Sequence, residues 1–192
     1  QGLIQLYHYD SLFETVHTSH PVRCFCEDED GNILIGTKGS GIKLLNPATK
    51  ELTDYLNESK GLISNSVYAL RRNKANDIFI GTEGNGINIL NVATGRLEKL
   101  EIPDKYPPFK AVYNIYFTNN DSLLWVGTSG YGLIKINISR EQGRYHVKGF
   151  RQYNSSDKNI SLNNDVVYAI TSDPENNMLW FGTRGGGLNC IN

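Results

Sequence analysis

Apolar and polar positions recur along this chain in a fixed order. A short segment opening on valine comes first: Val22-Arg23-Cys24-Phe25, Val67-Tyr68-Ala69-Leu70, Val112-Tyr113-Asn114-Ile115 and Val167-Tyr168-Ala169-Ile170. Polar clusters follow, Asp30-Gly31-Asn32, Ala75-Asn76-Asp77, Asn120-Asp121-Ser122 and Glu175-Asn176-Asn177. Such residues tolerate or mimic the positive φ of a tight hairpin, so each cluster predicts a turn between two strands. The next segment is the most apolar: Ile33-Leu34-Ile35, Ile78-Phe79-Ile80, Leu124-Trp125-Val126 and Leu179-Trp180-Phe181. Without polar alternation it predicts a strand covered on both faces, with Trp125 and Trp180 as packing residues between neighbouring units. An aliphatic third strand (Ile42-Lys43-Leu44-Leu45, Ile87-Asn88-Ile89-Leu90) leads to a polar hairpin and a fourth strand such as Arg96-Leu97-Glu98-Lys99-Leu100. Its polarity suits a solvated edge.

Between the second and third strands lies Gly-Thr-x-Gly-x-Gly followed by an aliphatic residue, beginning at Gly36-Thr37, Gly81-Thr82, Gly127-Thr128 and Gly182-Thr183. A single copy would resemble a phosphate-cradling loop, but such a loop opens a helix, and here each copy leads into a strand pattern. The first glycines stand 45, 46 and 55 residues apart, a spacing that signals a repeat architecture. The glycines serve the turn and leave room for a neighbouring unit, and the threonine hydroxyl is expected to bond backbone there. The expected fold is therefore all-β: a β-propeller of four-stranded antiparallel blades, with four repeats at about 7–46, 47–91, 92–137 and 138–192. Residues 1–6 read as the tail of a preceding blade, because Gly2-Leu3-Ile4 matches Gly132-Leu133-Ile134. The long third spacing reflects a hairpin extended over residues 138–149.

Charge changes this picture little. The 19 basic and 20 acidic residues are interspersed, which gives no footprint for nucleic acid, and no apolar run is long enough to span a bilayer. Cys24, Cys26 and Cys190 have no metal-ligand spacing and read as small buried apolar residues. His17 and His20 stand three apart without a predicted helix to present them, and Asp28-Glu29-Asp30-Gly31-Asn32 lacks the glycine and distal carboxylate of a calcium loop. No metal, cofactor or catalytic constellation is expected. Function is expected instead on the face where the glycine loops emerge. The variable residue after each Gly-Thr is Lys38, Glu83, Ser129 or Arg184, and the second variable position is Ser40, Asn85, Tyr131 or Gly186. From these, Lys38, Glu83, Tyr131 and Arg184 are the candidate ligand-binding residues, since constant scaffold with changing loops is how repeats build a specific surface.

The pattern Leu-Ser-Asn-x-Val-aromatic, then a turn, then Leu-Trp-x-Gly-Thr-x-Gly-x-Gly-Leu-Asn, clearest over residues 62–91 and 167–192, resembles the two-component regulator propeller repeat. Leu34 and Phe79 stand where that repeat usually shows tryptophan. The resemblance implies the periplasmic sensor region of a hybrid two-component histidine kinase of Bacteroidetes. There, such repeats form seven-bladed propellers ahead of an immunoglobulin-like domain, a membrane span and a kinase core. It also implies an oligosaccharide ligand, control of glycan-utilisation genes, and no enzymatic activity in this piece. Open blade edges further predict self-association of a four-repeat chain. Two alternatives use similar repeats: a propeller lyase of the streptogramin-inactivating type, and a purely structural interaction propeller.

Overall fold

The computed structural model describes residues 2–8, 11–84, 86–157 and 162–192, with side chains from Thr15 onward. Asn85 of the second glycine loop and residues 158–161 of the last linker lie outside the described residues, as do the side chains behind the match at Gly2-Leu3-Ile4. A hairpin of β1 (Gly2–His8) and β2 (Ser11–Thr18) forms its own two-stranded sheet. Antiparallel meanders follow in strict chain order. The first sheet holds β3 (Val22–Glu27), β4 (Ile33–Thr37), β5 (Ile42–Leu45) and β6 (Leu52–Leu56). The second holds β7 (Val67–Arg72), β8 (Ile78–Thr82), β9 (Ile87–Asn91) and β10 (Arg96–Lys99). The third holds β11 (Val112–Thr118), β12 (Leu123–Thr128), β13 (Leu133–Glu141) and β14 (Arg144–Tyr153). The last has three strands, β15 (Val167–Asp173), β16 (Met178–Thr183) and β17 (Gly187–Ile191). The fold is that of propeller blades, and the first strands β3, β7, β11 and β15 stand side by side. The repeat limits at 46/47 and 91/92 fall between the third and fourth strands of a sheet and the one at 137/138 falls inside β13, so the sheet is the unit that packs.

The expected turns form where the residue types allow them, with Gly31, Asn76, Asn120 and Asn177 all at positive φ. Three apolar seams join successive sheets. Leu34, Ile42, Val67, Leu70 and Ile80 close the first; Phe79, Ile87, Val112, Ile115 and Val126 the second; Trp125, Leu133, Val167, Ile170 and Phe181 the third. Each fully buried side chain of this size contributes on the order of 1.5–3 kcal/mol. The second-strand residues Leu34, Phe79 and Trp125 thus fill the gap to the next sheet, as their unbroken apolarity predicts. In the last sheet the corresponding face is open: Trp180 is only half-buried, Leu188 is 66% exposed, and Cys190 is exposed, unlike the buried apolar residue expected there.

The first glycine of each loop explains how closely the sheets approach. A Cβ on Gly36 would meet Val67 Cγ1 at 2.8 Å, one on Gly81 would meet Val112 Cγ1 at 2.5 Å, and one on Gly127 would meet the Val167 carbonyl oxygen at 2.7 Å. The opening valine of each following blade therefore requires glycine in front of it.

Candidate ligand-binding cleft

Three of the glycine loops share one threonine bond, whereas the buried Thr82 hydroxyl of the second loop has no hydrogen-bond partner among the described residues. Thr37 Oγ1 donates to the Gly41 carbonyl at 2.9 Å and accepts the Ser40 N–H at 3.0 Å, Thr128 makes the same pair of bonds with Gly132 and Tyr131, and Thr183 bonds Gly187. The N–H groups of Gly39 and Gly41 both donate to the Asn65 carbonyl of the incoming linker, and those of Gly130 and Gly132 to Asp165. The residue after each Gly-Thr is held by its own backbone: Lys38 N–H bonds Pro21, Glu83 bonds Ser66, Ser129 bonds Ala111 and Arg184 bonds Val166. Each acceptor is the residue before the first strand. The backbone of the four variable residues is thereby held beside the start of β3, β7, β11 and β15.

At that same place every sheet carries a register shift. Val22 pairs with Thr37 but Cys24 with Gly36; Val67 pairs with Thr82 but Ala69 with Gly81; Val112 and Asn114, and Val167 and Ala169, repeat the pattern. The extra residues are Arg23, Tyr68, Tyr113 and Tyr168. A bulge of this kind turns one side chain out of the ladder, a device common beside binding sites. Here it occurs four times in register and lines up the four side chains. Tyr68 and Tyr113 meet edge to face with centroids 5.1 Å apart, Tyr113 and Tyr168 stack at 5.2 Å, and the Arg23 guanidinium lies 5.9 Å from the Tyr68 centroid.

This row forms one wall of an open cleft of about 560 Å³, which Arg71, Tyr116 and Thr171 line deeper along the same strands. Arg71 sits over the Tyr116 ring at 5.2 Å, and the Tyr116 hydroxyl bonds Ser172 at 2.8 Å. A contiguous cleft at the rim brings Lys38 together with Arg23 and the three tyrosines. Burial of Tyr68, together with the Glu83 carboxylate beside it, raises the pKa of that phenol. Aromatic faces flanked by hydroxyls and charges suit a polar ligand with apolar C–H faces, such as a sugar.

Of the four residues singled out in the sequence, the structure brings Lys38 and Glu83 to this wall. Arg184 occupies the equivalent backbone frame in the last sheet and is exposed, with no ion pair among the described residues. Tyr131 lies elsewhere: it is half-buried and packs on the seam between the second and third sheets, and its carbonyl accepts from Gln152 at 2.9 Å. The tyrosine row itself was legible only as a repeated aromatic after valine. Strand alternation explains such a position without a ligand, whereas the register shift that exposes it is a property of pairing. Among the described residues no three His, Cys, Asp or Glu side chains come together as a metal site. His20 Nδ1 instead lies 2.5 Å from Ser40 Oγ.

The model of the two-component regulator propeller matches residues 18–39 and 161–185. Two segments of the chain, one in the first sheet and one in the last, thus match this propeller repeat. The first matched repeat runs from the linker through β3 and β4 into the glycine loop and includes Arg23 and Lys38; the second includes Tyr168 and Arg184. No curated protein sequence matches the chain. Among solved structures, the extracellular domain of a hybrid two-component system from B. thetaiotaomicron is similar at 20% identity and a TM-score of 0.56, over 93% of this chain and 28% of that one. Virginiamycin B lyase from Staphylococcus aureus is similar at 16% identity and a TM-score of 0.66, over all of this chain and 63% of the lyase. The Cps50 (Swd1) β-propeller domain of Myceliophteria thermophila gives 14% identity and a TM-score of 0.62, over 93% of this chain and 54% of that one. At these identities the likeness is one of fold, and the propeller repeats here span less than two thirds of each similar structure.

Proposed function

We propose that this chain is part of the ligand-sensing ectodomain of a hybrid two-component sensor histidine kinase, placed in the periplasm, and that it recognises an oligosaccharide and so controls glycan-utilisation genes. The observation that carries this reading is the row Tyr68, Tyr113 and Tyr168, aligned by one repeated register shift and flanked by Arg23, Lys38 and Glu83. Sugar rings stack on the tyrosine faces while the charged and hydroxyl groups fix their substituents. Arg184 extends the same rim. The regulator propeller repeats support the sensing role, and no helix among the described residues is long and apolar enough to cross a membrane. The open faces at Phe25, 74% exposed, and Leu188 support self-association of this chain.

Calorimetric titration against plant and host oligosaccharides, with the solution mass determined on the same sample, tests the reading. Saturable binding of one glycan class is the expected result. A folded, monodisperse protein that binds none of them contradicts it.

A further inference from the structure

The charges around the tyrosine row are unequal. Arg23 and Lys38 stand at the rim and Arg71 deeper in the cleft, against the single carboxylate of Glu83. Arg71 is engaged by the Tyr116 ring, and Glu83 faces Tyr68. Arg23 and Lys38 are both exposed, and neither forms an ion pair among the described residues; the only ring partner of Arg23 is Tyr68, at the long distance of 5.9 Å. Two cations therefore remain uncommitted beside a row of aromatic faces. A guanidinium offers a planar fork of N–H donors that matches a carboxylate, and an ammonium offers a point charge.

We infer that the cleft selects acidic oligosaccharides, with uronate rings on the tyrosine row and their carboxylates held by Arg23 and Lys38. This rests on the oligosaccharide reading above and specifies its chemical class. A neutral glycan meets both cations only through its hydroxyl groups. A uronate uses the rings and the cations together, so its affinity carries a salt dependence that a neutral glycan lacks.

The test pairs each acid with its neutral isostere. Tetrasaccharides of galacturonate, guluronate and glucuronate type are titrated as free acids and as methyl esters, at low and moderate salt. At least one acid is expected to bind about tenfold or more tighter than its ester, as charge-assisted hydrogen bonds to one or two cations provide. Arg23→Gln and Lys38→Gln should each weaken binding of the acid more than that of the ester and so bring the two affinities together. Both positions are exposed, so these variants fold as the parent does. Ester binding equal to acid binding overturns the charge selectivity while the oligosaccharide site stands. Binding of neutral glycans only has the same meaning, and binding of neither acids nor neutral glycans overturns both readings.

Discussion

The Tyr145 hydroxyl donates a 2.7 Å hydrogen bond to the Asp77 carboxylate, tying the extended third-blade hairpin to the second blade. Asp77 is 2% exposed, and its charge is answered by Arg140 at 3.1 Å and by the Asn91 amide at 2.8 Å. Asn73 donates to the Tyr145 oxygen at 2.6 Å, and the Tyr145 ring meets Phe79 edge to face at 5.0 Å. The lengthened hairpin at residues 138–149 is thus an inter-blade strap. Tyr145→Phe keeps the ring contact and removes only the hydroxyl, which leaves the Asn73 amide without its acceptor. The expected loss is about 1–3 kcal/mol, read as a lower urea midpoint at unchanged slope. An unchanged midpoint would show the strap to be incidental.

Gly81→Ala should destabilise the chain by about 1–3 kcal/mol, since the added methyl meets Val112 Cγ1 at 2.5 Å and the Val112 carbonyl at 2.9 Å. Gly182→Ala, at the same repeat position, meets nothing nearer than the Ala169 Cβ at 3.9 Å. In the 192-residue chain it should stay within about 0.5 kcal/mol of the parent. Equal effects in thermal or urea unfolding would mean that the glycine serves its own turn and not the approach of the next blade.

Cys24 gives the chain a defined alkaline weakness. Burial pushes its thiol from 9.0 up to about 12. Below pH 9 both the folded and unfolded thiols are protonated, and the full contribution is present. Above it the unfolded chain loses the proton first, so stability falls by up to about 1.4 kcal/mol per pH unit until the folded thiol also ionises. Cys24→Ala should flatten that part of the stability–pH curve. In thiol labelling of the native protein, exposed Cys190 reacts first and partly buried Cys24, with its raised pKa, more slowly.

What could be read from the sequence follows from how local each constraint is. The Gly-Thr-x-Gly-x-Gly loop was legible because positive φ at Gly41 and Gly132 and the hydroxyl bonds of Thr37 and Thr128 act within a few residues. The seams were legible too, because Leu34, Phe79 and Trp125 sit in strands with no polar face. Tyr131, chosen as an aromatic in a variable loop, turned instead onto a seam, and no local pattern distinguishes those two outcomes. The tyrosine row depends on pairing register between strands, and the Asp77 cluster joins residues 68 positions apart in the chain. Neither is written in any one segment.

The most direct measurement of the binding account is affinity for the best oligosaccharide of the panel, compared among the parent chain, Tyr168→Ala and Tyr131→Ala. Tyr168 is 49% exposed at the end of the row, so its truncation should spare the fold. The tyrosine-row account predicts a loss of about tenfold or more, at least roughly 1.4 kcal/mol, for Tyr168→Ala and near-parent affinity for Tyr131→Ala. Undiminished binding by Tyr168→Ala, or loss on Tyr131→Ala in a protein that is still folded, would contradict it.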